Sequence, residues 1–286
     1  MFVIDNQLKT AKNYFSEQLK NLFSATEIIS MWKEIICLRL KWNSSDFILN
    51  TNYRLSESDL LFIRNYVHRL KKNEPFQYIH EKTTFFGLEL KCDKRALIPR
   101  PETEELVAWA VGFGPYKTIA DICTGSGCIA LGLKSKFSES NVIGLDISMD
   151  ALTLAQENSK FTNLDVEFIH ADVLNINSVL LDKKWDCIIS NPPYIPYYER
   201  ESIAENVLNF EPEISLFVKN NNPIIFYEAI VKYAKSNLSE NGFLFFEIHP
   251  DFSTEISELL NLKGFINIEL RKDLQGKNRM IKAQNV

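Results

Sequence analysis

The hydrophobic spacing of residues 1–80 is that of helices. Apolar residues recur at steps of three and four, which places them on one face of a helix. In the first stretch they are Leu8, Ala11, Phe15, Leu19 and Leu22. Ser24 and Ser56 each precede an acidic residue by three positions, a pattern typical of the capping box that begins a helix. We therefore predict a small, entirely helical bundle over residues 1–80.

The spacing changes to alternation in the next stretch, which indicates a half-buried strand. The alternating positions are Phe86, Leu88, Leu90 and Cys92. We interpret Asp93 and Lys94 as a turn that returns the chain through residues 96–98. The prediction is a β-hairpin within residues 81–100 that joins two domains.

From residue 101 onward, strand-like and helix-like segments alternate. This order is typical of a mainly parallel sheet with helices on both faces, the α/β class. The predicted strands are residues 118–122, 142–146, 166–169, 185–190, 242–248, 265–270 and 279–283. The predicted helices include residues 128–136, 149–161 and 224–238. Only a short loop separates the last two strands, so an antiparallel hairpin can form there.

Composition and charge narrow the class of protein. The chain has 286 residues, of which 45% are hydrophobic, and a formal net charge of -5, which disfavours broad binding to nucleic acid. No apolar run approaches the ~18 residues of a membrane-spanning helix, and residues 1–10 lack the pattern of a signal peptide. The five cysteines have neither C-x-x-C nor zinc spacing, so we expect reduced thiols, no metal and a cytoplasmic location. We expect a monomer.

A glycine-rich turn follows the first predicted strand of the sheet. It consists of Cys123, Thr124, Gly125, Ser126 and Gly127. Glycine lets the backbone approach a ligand closely. Asp146 ends the second strand, where a doubly wound sheet places a carboxylate for ribose hydroxyls, and Asp172 follows the third, where it would face a base. The ligand is NAD or S-adenosylmethionine; the full G-x-G-x-x-G motif favoured by a pyrophosphate is absent, since Cys123 stands at its first position.

The fourth strand is followed by Asn191, Pro192, Pro193 and Tyr194. The two prolines stiffen this loop, and neither has an N–H. The Asn191 side-chain oxygen and the Pro192 carbonyl can therefore accept both N–H bonds of a planar amino or amide group and hold its nitrogen opposite a methyl donor. Tyr194 adds an aromatic surface for positive charge. The loop favours S-adenosylmethionine over NAD, with Asn191, Pro192 and Tyr194 as catalytic residues.

These residues resemble the class I S-adenosylmethionine-dependent methyltransferases, and among them the HemK/PrmC family of peptide-chain release factor glutamine methyltransferases. The further segments similar to that family are residues 97–104 (its Pro-Arg-Pro-Glu-Thr-Glu signature), 74–79, 210–212, and Asp273, Gly276 and Arg279. Two positions depart from the family pattern. Cys123 replaces its commoner glycine, and Glu247-Ile248-His249-Pro250 stands where Glu-x-Gly is frequent, so His249 receives no role.

The resemblance implies an α/β fold: a Rossmann-like, seven-stranded methyltransferase domain over residues 101–286, with a helical domain over residues 1–80 that helps bind the substrate. The implied reaction methylates the side-chain amide nitrogen of the glutamine in the Gly-Gly-Gln motif of class I release factors, with S-adenosyl-L-homocysteine as product. By position, residues 123–127 contact the methionine end of the cofactor. Asp146 holds the ribose, Asp172 and Val173 flank the adenine, and residues 191–194 bind the substrate amide, with Asn191 also next to the cofactor.

The main alternative is a nucleic-acid amino methyltransferase, because adenine N6 methylation uses the same Asn-Pro-Pro-Tyr loop. Between residues 191 and 213 only Arg200 opposes a group of acidic residues that repels a phosphate backbone. The acidic residues are Glu199, Glu201, Glu205, Glu211 and Glu213. A binding module without turnover and an NAD oxidoreductase are weaker alternatives, because the carboxylates and the Asn-Pro-Pro-Tyr loop occur together.

Overall fold

The computed structural model describes residues 5–178, 183–219 and 221–286. The chain forms two compact units, Met1–Glu81 and Lys82–Val286. Within the described ranges, no helix is both long enough and apolar enough to cross a bilayer. The first four residues of the predicted helical domain lie outside the described part of the chain.

The first unit is helical apart from one bridge between Gln7 and Arg54 in its described part. Its helices are α1 (Leu8–Leu19), α2 (Ala25–Leu40), α3 (Ser44–Leu49), α4 (Glu57–Leu70) and α5 (Phe76–His80). Both predicted capping boxes are confirmed, at Ser24 before α2 and at Ser56 before α4. The apolar face of α1 packs into a core that includes Trp32, but Leu22, beyond the end of α1, is 46% exposed.

The second unit starts with a hairpin whose turn differs from the predicted one. Strands β1 (Lys82–Phe85) and β2 (Leu88–Lys91) pair with Phe85 opposite Leu88. The turn is therefore Phe86-Gly87, where both residues have the positive φ that a two-residue hairpin turn requires, 50° and 79°. The predicted returning strand at residues 96–98 is wrong, because that segment forms no strand. The hairpin belongs to the second unit, and the division into functional domains stays a prediction.

The remaining elements of the second unit alternate as predicted. The helices are α6 (Pro101–Val111), α7 (Cys128–Lys136), α8 (Met149–Thr162), α9 (Glu205–Phe210), α10 (Ile225–Asn237) and α11 (Ser253–Leu262). The strands are β3 (Thr118–Ile122), β4 (Asn141–Asp146), β5 (Glu167–His170), β6 (Trp185–Ser190), β7 (Ile195–Pro196), β8 (Phe217–Val218), β9 (Leu238–Glu247), β10 (Ile266–Lys272) and β11 (Asn278–Gln284). All seven predicted sheet strands are confirmed.

These seven strands form one sheet in the order β10-β11-β9-β6-β3-β4-β5. Neighbours from β9 to β5 run parallel, whereas β11 is antiparallel to both β9 and β10, which confirms the terminal hairpin. One face packs against α6 and α7, and the other against α10 and α11. The strand order reverses between β3 and β6, and in such sheets ligands bind at the carboxyl ends of the strands beside that point.

Candidate active site

A cavity of about 260 Å³ lies at the carboxyl ends of β3, β4, β5 and β6. Most of the residues predicted to bind the cofactor line it. They are Cys123, Thr124, Gly125, Ser126, Asp146, Asp172, Val173 and Asn191. Pro193 also lines the cavity, while Gly127, Pro192 and Tyr194 are not among the lining residues. The structure thus brings three separate sequence signals to one place.

The glycine-rich turn is shaped by left-handed backbone conformations at Cys123 (φ 61°), Gly125 (φ 55°) and Gly127 (φ 81°). The conformation of Cys123 gives a physical reason for the commoner glycine at this position, since a side chain strains a left-handed residue. At Gly127 a Cβ would come within 3.0 Å of the Phe168 ring. Gly127 therefore allows α7 to begin close to the sheet, and its contact with the cofactor stays a prediction.

Asp146 holds the glycine-rich turn from the end of β4. Its Oδ2 accepts the N–H of Gly125 at 2.8 Å, and its Oδ1 accepts the N–H of Ser148 at 2.9 Å. Burial raises the pKa of this carboxyl, and the backbone N–H bonds oppose that rise. An ionised carboxylate has about four lone-pair sites, so both oxygens retain acceptor capacity toward a ligand in the cavity.

Asp172 and Val173 form the part of the cavity that follows β5. The Asp172 carboxylate accepts the Leu174 N–H and the Asn175 side-chain amide, each at 2.9 Å. Val173 is 8% exposed. Together these two residues can bind a flat heterocycle that carries an amino group. Val173 packs against the ring, and the half-buried Asp172 carboxylate accepts a hydrogen bond from the amino group.

The Asn191 side chain is tied to residues that the sequence analysis did not assign. Its Nδ2 donates to Thr103 Oγ1 at 3.2 Å, and the Thr103 hydroxyl donates to Glu247 Oε2 at 2.6 Å. The Tyr194 hydroxyl donates to the other oxygen, Glu247 Oε1, at 3.1 Å. Burial raises the pKa of both Tyr194 and Glu247. Tyr194 thus packs against the core and donates to Glu247. The sequence signal for Thr103 and Glu247 was their place in residues 97–104 and 247–250, two segments compared with the family pattern.

The buried carboxylate of Glu211 joins two segments that line the cavity. It accepts the Ile98 N–H at 3.1 Å and pairs with the Arg100 guanidinium. The segment containing Arg100 and the segment containing Pro212 both line the cavity. Sequence reasoning counted Glu211 as part of an acidic surface, and the structure corrects this: Glu211 is 4% exposed and forms a structural ion pair.

His249, which the sequence analysis left without a role, lies beside the Tyr194 ring, with the ring centroids 6.1 Å apart. Its Nε2 is 3.3 Å from Glu199 Oε2, and its Nδ1 faces the Asp251 N–H at 3.3 Å. Ligand atoms of these three residues lie within 4.8 Å of one another. Because the imidazole nitrogens already have these partners, we assign the cluster no metal.

Two family models match the chain. A methyltransferase small domain model matches residues 110–211, and a PrmC N-terminal domain model matches residues 10–80. The first match contains the glycine-rich turn, both predicted cofactor carboxylates and the Asn-Pro-Pro-Tyr loop. The second covers the helices of the first unit. Together the two models account for most of the chain.

The chain is similar over nearly its whole length to proteins named release factor glutamine methyltransferase. It is 38% identical to the one from Flavobacterium psychrophilum, covering 96% of this chain and 98% of that protein. It is 32% identical to the one from Bacteroides thetaiotaomicron, covering 94% and 97%. A methyltransferase structure from Pyrococcus furiosus shares the fold, with a TM-score of 0.54 and 16% identity over 78% of this chain and 99% of that one. Since relatives above 30% identity match from end to end, the chain belongs to the release factor glutamine methyltransferases and is an S-adenosylmethionine-dependent enzyme.

Proposed function

We propose that this enzyme methylates the side-chain amide nitrogen of the glutamine in the Gly-Gly-Gln motif of class I release factors, in the cytoplasm and as a monomer. Family membership supports the reaction, and the five free cysteines accord with the location. The observation that carries the proposal is the position of Asn191. Its side chain lines the cavity, and its Oδ1 accepts no hydrogen bond from the described part of the chain.

The residues around the cavity fit S-adenosylmethionine. A Cβ built on Gly125 meets nothing within 4 Å, so the backbone there is open to a ligand. Asp146 offers acceptors for ribose hydroxyls, while Asp172 and Val173 offer an acceptor and an apolar surface for adenine. Thr124 and Ser126 line the part of the cavity assigned to the methionine end. When bound, the cofactor supplies an electrophilic methyl group on a positively charged sulfur.

The Asn-Pro-Pro-Tyr loop orients the substrate amide. Asn191 Oδ1 and the Pro192 carbonyl accept hydrogen bonds from its two N–H groups. These bonds increase the electron density on the nitrogen and orient its lone pair toward the methyl group of the cofactor. The buried Pro192 and its neighbour Pro193 stiffen the backbone that carries these acceptors. Tyr194 contributes by anchoring the end of the loop through its hydroxyl bond to Glu247.

Charge separates this function from a nucleic-acid amino methyltransferase less strongly than the sequence indicates. Arg100 pairs with Glu211, which makes the acidic excess near the loop one charge smaller, whereas Arg200, which pairs with Glu213, was already counted. Nothing in the comparisons favours the alternative, whereas the named relatives and the N-terminal family model favour a release factor.

The direct test is mass spectrometry of a class I release factor after incubation with the enzyme and S-adenosylmethionine. We expect one added methyl group, on the Gly-Gly-Gln glutamine. Asn191→Ala should lower kcat by about 10²–10³, the effect of removing one preorganised polar group, with cofactor Kd little changed. Asn261→Ala, at an exposed position of α11, is the matched control.

Two results would contradict the proposal. Methylation of bulk DNA without methylation of the release factor would support the alternative substrate class. An Asn191→Ala enzyme as fast as the parent would show that the substrate amide is bound elsewhere.

A further inference from the structure

A line of hydrogen bonds leads from the Asn191 side chain into the protein interior. It connects three elements: Asn191 follows β6, Thr103 lies in the first turn of α6, and Glu247 ends β9. Thr103 is 2% exposed and Glu247 is 1% exposed. The polar atoms of Thr103 and Glu247 therefore have little contact with bulk water, and each depends on its neighbour in the line.

The line has a direction, which the Thr103 hydroxyl sets. Its single proton is donated to Glu247 Oε2 at 2.6 Å. Thr103 Oγ1 is then left as an acceptor toward Asn191. Only the Nδ2 side of the Asn191 amide can satisfy it, at 3.2 Å, and Oδ1 must point the other way.

We propose that Thr103 and Glu247 are positioning residues that hold the Asn191 carboxamide in one of its two orientations, with the acceptor oxygen presented to the substrate. This inference rests on the proposed function, since it assigns Asn191 Oδ1 the role of acceptor. Without the line, rotation of the amide by half a turn would present an N–H₂ donor to the N–H₂ of the substrate. Two donors facing each other form no hydrogen bond.

The same carboxylate also holds the far end of the loop. Glu247 Oε1 accepts the Tyr194 hydroxyl, so one end of the four-residue loop contacts this carboxyl group directly and the other end reaches it through Thr103. The Tyr227 hydroxyl donates to the Glu247 backbone carbonyl at 3.0 Å, which holds the end of β9 against α10. Burial acts against the charge of Glu247, while the two hydroxyl bonds and nearby Arg279 favour it.

The test replaces the Thr103 hydroxyl without changing the side-chain shape. Thr103→Val should lower kcat toward a release factor on the order of 10–100-fold, since a misplacement of about 1 Å can cost 10²-fold. The KM for the release factor and the cofactor Kd should change by less than about threefold, because Val keeps the shape of this side chain, which lines the cavity. Thr103→Ser, which keeps the hydroxyl, should restore most of the lost rate.

A double-mutant cycle separates positioning from general support of the fold. If Thr103 acts through Asn191, then Thr103→Val should have little further effect in an enzyme that already carries Asn191→Ala. The inference would be overturned if the double variant lost kcat by the product of the two single-variant losses. So would a Thr103→Val enzyme with the parental kcat, or an equal loss in Thr103→Ser.

The Asn191→Ala variant tests the proposed function separately from this inference. If Asn191→Ala alone leaves kcat unchanged, the proposed role of Asn191 fails. If Asn191→Ala is slow and Thr103→Val is not, only the inference fails. Should Thr103→Val not fold, Glu247→Gln serves in its place, since its amide can donate to Thr103 and reverse the line. It should lower kcat and show the same non-additivity with Asn191→Ala.

Discussion

Asp121 lies beneath the glycine-rich turn, and its two carboxyl oxygens differ in their hydrogen bonds. Its Oδ2 accepts the Thr124 hydroxyl at 2.5 Å and the Ala130 N–H at 3.1 Å. Its Oδ1 has no hydrogen-bond partner in the described structure, and the side chain is fully buried. Burial outweighs these hydrogen bonds and raises the pKa of Asp121 to about 7. The folded protein therefore keeps a proton that the unfolded chain releases near pH 4.

This shift predicts that Asp121 makes the cofactor-free enzyme less stable as pH rises. Between about pH 4 and pH 7 the unfolded state binds fewer protons at this group than the folded state, so the free energy of unfolding falls by up to about 1.4 kcal/mol per pH unit. Asp121→Asn should not show this contribution. The difference between variant and parent, measured by urea unfolding, should grow up to pH 7 and then stay level.

Glu157 provides a control of opposite sign. Its bonds to Arg95 and Lys91 lower its pKa to about 2. Glu157→Gln should therefore lose stability relative to the parent only as pH rises through the acid range below about 4.3, the pKa of a free glutamate. A flat Asp121→Asn difference between pH 5 and pH 7 would show that Asp121 is ionised in the folded protein.

At the scale of elements, the cavity is closed by segments distant in sequence. The chain before α6 and the chain after α9 each contribute lining residues, and Glu211 connects them. The Glu211 side chain is 1% exposed and that of Arg100 is 34% exposed. Arg100 can turn to water if its partner is removed, but the Ile98 N–H has no comparable freedom.

We expect Glu211→Ala to weaken cofactor binding by about tenfold or more, about 1.4 kcal/mol, because both segments lose their connection. Isothermal titration calorimetry with S-adenosylmethionine measures this. Glu213→Ala is the matched control, since it breaks the exposed pair with Arg200, whose contribution is small. Equal effects of the two substitutions would show that Glu211 does not hold the cavity together.

At the scale of the whole molecule, each unit has a core of its own. The first packs its helices around Trp32, and the second covers both faces of its sheet. The residues assigned here to cofactor binding and to the amide all belong to the second unit. The first unit contains none of them, and its role in binding the substrate protein stays a prediction.

Removal of residues 1–81 should separate the two tasks. We expect residues 82–286 to fold, to bind S-adenosylmethionine, and to methylate a short Gly-Gly-Gln peptide at close to the parental kcat/KM. The KM for an intact release factor should rise by about tenfold or more, because a second contact surface is lost. If peptide and intact factor are affected equally, the first unit only supports the fold.

Local patterns in the sequence located most of the elements and the residues that we propose for the site. Apolar spacing located all seven sheet strands, serine and acidic pairs located two helix starts, and short motifs located the cofactor turn and the Asn-Pro-Pro-Tyr loop. These features depend on residues within a few positions of one another. Propensity, capping and backbone stiffness act at that range, so one stretch of sequence contains the information.

Contacts between distant segments were decided only by the tertiary structure. Thr103 and Glu247 are 144 positions apart, and Ile98 and Glu211 are 113 apart, so no local pattern pairs them. The burial of Glu211 and the contact of Tyr194 with Glu247 likewise depend on how segments distant in sequence pack together. The sequence by itself determined which groups we propose for the chemistry. The packed sheet and helices decided which polar atoms remain free to act, because burial and pairing are properties of neighbours in space.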